Sequence, residues 1–93
     1  MSSALPTIRQ LKYLIALSET LNFRQASEKL FITQSTLSSG IKELEESLGV
    51  ILVERTKRSV RLTVGGLEIL RRAQSIVSEV HDLGTVTENF KKP

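Results

Sequence analysis

Apolar residues recur along the first half of the chain at intervals of three and four, switch to intervals of two after Gly49, and return to helical spacing for the final third. Ile8, Leu11, Leu14, Ile15 and Leu17 form one inward stripe and predict a core helix over Ile8–Thr20. A short second helix over Phe23–Leu30 turns Phe23, Ala26 and Leu30 inward, with Ala26 small enough to admit a crossing helix. A third, Gln34–Leu48, carries Leu37, Ile41, Leu44 and Leu48 on one face, and Gly49 fits as its C-terminal stop. Thr7, Asn22 and Thr33 are N-cap candidates. Gln10 and Gln25 follow the first two by three residues, as a capping box requires. Ile32 with Leu37, and Leu62 with Leu67 around Thr63, have the spacing of hydrophobic staples.

Only Phe31, Ile32 and Thr33 separate the second and third helices. So short a link between two capped helices is the spacing of a helix-turn-helix. Beyond Gly49, Val53 and Arg55, then Val60 and Leu62, alternate with Glu54 and Arg61 and predict two short strands. No Asn-Gly or Gly signal marks a two-residue turn between them, so a four-residue loop, Thr56 to Ser59, closes this small wing.

The last helix starts at Val64 and runs to Leu83 or beyond, with Ile69, Ala73, Ile76, Val80 and Leu83 at four-three intervals and Leu70 and Val77 widening the stripe. A stripe that long exceeds what so small a domain covers alone, and predicts pairing with a second copy. Gly84 and the polar residues after it weaken the pattern, and Lys91, Lys92 and Pro93 end it as a tail. The fold class is thus mainly α: a winged helix-turn-helix with a β-hairpin wing and a long C-terminal linker helix. The expected division is 1–63 for the winged unit, with the helix-turn-helix at 23–42, and 64–93 for linker helix and tail.

Composition adds constraints. Ninety-three residues with 40% hydrophobic and 25% charged positions make one small globular unit. No apolar run is long enough for a transmembrane span and residues 1–20 lack a leader pattern, so a cytoplasmic protein without membrane contact is expected. Zero cysteines exclude disulfides and thiolate metal or redox sites within the segment. His81, the single histidine, has too few neighbouring ligands for a metal site. No Ser/His/Asp set or phosphate-binding glycine loop supports an enzyme, and Glu43, Glu45 and Glu46 read as a solvated helical face.

The net charge of +3 hides a sharp local imbalance. Residues 1–54 carry five Lys/Arg against six Asp/Glu, residues 55–72 six against one, and residues 73–93 two against three. A local excess of five positive charges over one short stretch points to a polyanion. A second oddity lies at 33–39, where five of seven residues carry a hydroxyl at the start of a helix. Serine and threonine are weak helix formers, so something besides stability favours them. Short hydroxyls and the Gln34 amide at a helix N-terminus can approach phosphates and base edges closely.

Quoted in order, LKYLIAL, NFRQASEKLFITQSTLSSGIKELEESLGVILVER and LTVGG resemble the N-terminal DNA-binding domain of the LysR-type transcriptional regulators over nearly the whole chain. The ERT and LSS pieces look more like the peroxide-sensing branch than the aromatic-degradation branch. The resemblance implies double-stranded operator or promoter DNA as partner, a homodimer formed through the linker helix, and a dimer or tetramer in a full-length protein. It also implies a downstream domain on which a small-molecule or redox effector acts, and no cofactor in this segment. Where the family often has Thr-x-Ala-Gly, this chain has Thr63, Val64, Gly65 and Gly66, and the extra glycine is expected to loosen the junction between wing and linker helix.

With the third helix in the major groove, helical geometry selects Gln34, Ser35, Ser38, Ser39 and Lys42 as base-reading positions. Gln34 suits adenine. Thr36 is expected to reach the DNA backbone, and Thr33 to act as a cap with a phosphate contact besides. Arg24 and Gln25 open the second helix, where a phosphate can be held, although Gln25 is alternatively spent on its capping box. Lys57 and Arg58 at the wing tip suit the minor groove, with Arg55 and Arg61 at its base. Arg55 could equally pair with Glu54 or Glu43. Dimerisation is expected through Ile69, Leu70, Ala73, Ile76, Val77, Val80 and Leu83. Two rival readings are a winged-helix protein-interaction module and a nonspecific nucleic-acid binder.

Overall fold

The computed structural model describes residues 5–91. Its elements are α1 (Ile8–Thr20), α2 (Phe23–Leu30), α3 (Gln34–Leu48), β1 (Val53–Arg55), β2 (Val60–Leu62), α4 (Val64–Thr87) and a terminal 3-10 turn, Glu88–Phe90. Each α-helix opens on a capped residue. Thr7 and Gln10 form a reciprocal capping box, the side chain of Asn22 accepts from the Gln25 N–H at 2.8 Å, and Thr33 and Thr63 accept from the N–H groups of Thr36 and Gly66. The first three helices end on left-handed residues: Leu21 at φ 50°, Phe31 at φ 58° and Gly49 at φ 71°.

α1 is the central element and packs against α2, α3 and α4. Leu14 and Leu17 from α1, Leu37 and Leu44 from α3, and Leu52 from the α3–β1 connection are the largest fully buried side chains. Being covered on several sides, α1 buries more than one stripe: Tyr13 and Ala16 join the core, whereas Ile8, expected inward, sits at the open end of the helix and is 38% exposed. Tyr13 lies against Gly40 with no room for a Cβ there, which draws α3 close to α1.

Glu45 departs from the solvated face expected for α3. Its carboxylate turns under the α3–β1 connection and accepts the backbone N–H groups of Leu52 and Val53, at 2.8 and 3.1 Å. A carboxylate can hold both donors at once, so it ties the end of the α3–β1 connection and the first residue of β1 to α3. The wing follows. β1 and β2 pair antiparallel with Val53 opposite Leu62, Glu54 opposite Arg61 and Arg55 opposite Val60. The four-residue tip is closed by the Thr56 N–H donating to the Ser59 carbonyl at 2.8 Å, while the Thr56 hydroxyl accepts from the N–H groups of Arg58 and Ser59.

The junction from wing to α4 is tight, contrary to the loosening expected from Gly65. Thr63 donates its N–H to the Leu52 carbonyl at 3.0 Å and its hydroxyl to the Ile51 carbonyl at 2.7 Å. A Cβ at Gly65 would stand 2.9 Å from the Val50 side chain, and one at Gly66 would overlap the Leu52 carbonyl. The two glycines therefore bring backbone and side chain together. Leu67, expected to staple this helix start, keeps 53% of its surface exposed. α4 continues through Gly84 to Thr87, because neighbouring residues carry the helix past a single weak position. Lys92 and Pro93, expected to end it, lie outside the described residues. No described helix is long and apolar enough to cross a membrane.

Candidate nucleic-acid interface

The first turns of α3 are flanked by two shallow grooves. One runs between α3, the start of α2 and the wing, and is lined by Asn22, Arg24, Gln34, Arg55, Lys57 and Arg58. The other separates α3 from the start of α1 and is lined by Arg9, Gln10, Ser35, Thr36, Ser39 and Glu43. Thus the hydroxyl-rich helix start is bordered by cations on both sides. Gln34, Ser35, Thr36, Ser39 and Lys42 are exposed, and Ser38 is half-buried.

The hydroxyls have distinct local roles. Thr33 accepts the Thr36 N–H at 3.1 Å and donates to the Thr36 hydroxyl at 2.8 Å, with the Ser35 hydroxyl 3.3 Å away. Thr33 is therefore a cap with its single proton committed, and Thr36 keeps its own proton free. Asn22 caps α2 through its side chain while no return bond from the Gln25 amide forms, so the exposed Gln25 side chain is not held by a capping box. Arg24 pairs with Glu28 at 3.2 Å, both about two-thirds exposed, an interaction worth ~0.5 kcal/mol that is easily exchanged for another anion.

Arg55 takes neither expected partner. Glu43 accepts instead from the Gln10 amide at 3.5 Å, and Glu54 faces Arg61 across the hairpin. The Arg55 guanidinium lies 3.8 Å from the centroid of the Phe23 ring and donates to the Ser38 hydroxyl at 3.2 Å. It joins β1, α2 and α3 at one point. Lys57, Arg58 and Arg61 are exposed and, among the described residues, form no ion pair. None of the three is held by a salt bridge, although Arg61 stands opposite Glu54. Arg9 was not singled out in the sequence: it belongs to a block of balanced charge, and only folding brings it beside Ser35 and Ser39.

The apolar positions of α4 divide into two groups. Ile69, Leu70, Ala73 and Val77 pack on the chain's own core, and Ala73 is 1% exposed. Ala73 is thus already covered within the chain, a correction to its expected place between subunits. Ile76, Val80 and Leu83 stay exposed, as do Val86 and, in the 3-10 turn after α4, Phe90, which lie beyond the expected set. His81 is exposed.

A three-helix core with a helix-turn-helix, a two-stranded wing and a long trailing helix defines a winged helix-turn-helix protein. Residues 8–67 match the family model described as bacterial regulatory helix-turn-helix protein, lysR family, and the chain belongs to that family. It is 47% identical over 91 residues to the HTH-type transcriptional regulator EstR of Acinetobacter baylyi, an alignment covering 98% of this chain and 30% of the relative. It is 43% identical over 85 residues to the hydrogen peroxide-inducible genes activator of Haemophilus influenzae, covering 91% and 28%. The chain therefore spans less than a third of the curated relatives it matches. Among solved structures, the BenM DBD in complex with catB site 1 DNA superposes with a TM-score of 0.87 at 34% identity, covering 94% of this chain and 98% of that one.

Proposed function

We propose that this chain is the operator-binding unit of a bacterial transcription regulator, in which α3 reads base edges in the major groove and the wing straddles the adjacent phosphates or minor groove. The observation that carries the reading is one exposed face on which the Gln34, Ser35 and Ser39 side chains lie between Arg9 on one side and Lys57 and Arg58 on the other. Hydroxyls and an amide supply selectivity with little charge, and the unpaired cations supply affinity without selectivity. Gln34, Ser35, Ser38, Ser39 and Lys42 read bases. Arg24, Gln25, Thr36, Lys57, Arg58 and Arg61 meet the backbone or minor groove, whereas the Thr33 hydroxyl, its proton given to Thr36, serves as the cap.

Two copies pair through the exposed stripe Ile76, Val80 and Leu83, so that two recognition helices meet two half-sites. The unit that docks on DNA does not stop at residue 63: α4 contributes Ala73 and Val77 to its core, and the linker proper is the part beyond. The effector acts on the part of the protein that follows. Over this segment the chain is similar to both EstR and the Haemophilus influenzae peroxide activator, at 47% and 43% identity, so the identity level alone favours neither one's effector.

Selection from a randomised duplex pool at physiological salt tests the reading. Enrichment of a two-fold symmetric sequence is expected. Retention of DNA without enrichment would mark a nonspecific binder, and no retention would leave the scaffold a protein-interaction module.

A further inference from the structure

We infer that Arg55 is a positioning residue for specificity: by donating to the Ser38 hydroxyl while stacked on Phe23, it fixes Ser38 as a hydrogen-bond donor to DNA. The inference rests on the base-reading role proposed for α3. A serine hydroxyl has one proton and two lone pairs, and unconstrained it serves base donors and acceptors alike. Here one lone pair faces the guanidinium at 3.2 Å. A cation held beside the oxygen turns the O–H dipole away from itself and opposes the approach of a further donor hydrogen. Ser38 is left to donate.

Three observations support this. The guanidinium is held in place, 3.8 Å from the centroid of the buried Phe23 ring, so the arrangement does not depend on a freely rotating side chain. The Ser38 proton is uncommitted as well: Ser18, Ser27 and Ser47 each donate their hydroxyl to the carbonyl three residues back, at 2.6, 2.8 and 3.0 Å, and Ser38 makes no such bond. Finally, Ser38 and Arg55 line the same open groove as Lys42, next to the reading positions of α3. The base edges that accept from a hydroxyl in the major groove are N7 and O6 of guanine, N7 of adenine and O4 of thymine, whereas cytosine presents only an amino donor. Ser38 therefore discriminates against cytosine at the base it faces.

The inference gives Arg55 a role that the wing cations do not have, since one of its guanidinium N–H donors is engaged with Ser38. The test measures relative affinities for all single-base variants of a selected operator, using the wild-type chain, Ser38→Ala, Arg55→Met, Arg55→Lys and Phe23→Leu. Arg55→Met and Ser38→Ala should both flatten the preference at one and the same base pair, by roughly three- to tenfold, and the double variant should be no flatter than Ser38→Ala alone. Arg55→Lys keeps the charge but lacks the planar fork, and should leave the salt dependence intact while flattening that base pair. Phe23→Leu, apolar and of similar size, should weaken the same preference without touching the hydroxyl or the cation. A uniform loss of affinity for all sequences in Arg55→Met, with a salt slope lower by ~1 and the preference preserved, would overturn the inference and make Arg55 a phosphate contact. Failure of the wild-type chain to select any sequence would instead refute the base-reading role of α3.

Discussion

The Glu45 carboxylate accepts the backbone N–H of Leu52 at 2.8 Å, and through that bond α3 holds the start of the wing. Val53 donates to the same oxygen at 3.1 Å. Glu45→Ala leaves both donors without this partner, so it should destabilise the fold by ~1–3 kcal/mol in urea unfolding. Glu45→Gln, whose amide oxygen can still accept, should recover part of the loss. DNA affinity should fall with the wing's order, because Glu45 is engaged with the backbone of the wing's start.

The glycines of α4 should respond in opposite directions. Gly66→Ala forces a methyl against the Leu52 carbonyl and should cost ~1–3 kcal/mol, despite alanine's better helix propensity. Gly84 has nothing within 4 Å of a would-be Cβ, so Gly84→Ala should stabilise the helix by ~0.5–1 kcal/mol. Thermal unfolding of the two variants side by side reads the contrast directly.

Arg58 is exposed at the wing tip and its charge is unpaired. Arg58→Ala should weaken binding to all duplexes by a similar factor and lower the slope of log affinity against log salt by ~1, without altering base preference. Anisotropy titrations at several salt concentrations measure that slope.

Pairing through α4 predicts that Leu83→Glu, at a position 63% exposed in the single chain, converts a dimer into a monomer without lowering the stability of the winged unit. Sedimentation equilibrium gives the mass and urea unfolding the stability. Operator affinity should drop because the two half-sites are no longer linked.

Local signals in the sequence carried most of the fold. A cap acts on N–H groups two or three residues away, so Thr7, Asn22, Thr33 and Thr63 marked their helix starts without knowledge of the rest of the chain. Long-range pairings were not legible. Arg55 finds Ser38 seventeen residues away, and nothing in its neighbourhood announces Phe23 rather than the nearer Glu54. Glu45 looked like its neighbours Glu43 and Glu46 because helical position alone cannot tell which carboxylate will meet a passing backbone. Ala73 and Val80 share one apolar stripe, and burial by the chain's own α1 demands the same spacing as burial by a second copy. Arg9 and Ser39 come to line one groove only once α1 and α3 are packed.

The central claim, that the first turns of α3 read base edges, is tested most directly by Gln34→Ala. Its base preferences across a randomised duplex library should be compared with those of the wild-type chain at physiological salt. Loss of ~1–3 kcal/mol of discrimination at one position per half-site, with the other positions unchanged, is the predicted result. An unaltered preference at every position would contradict the role assigned to α3.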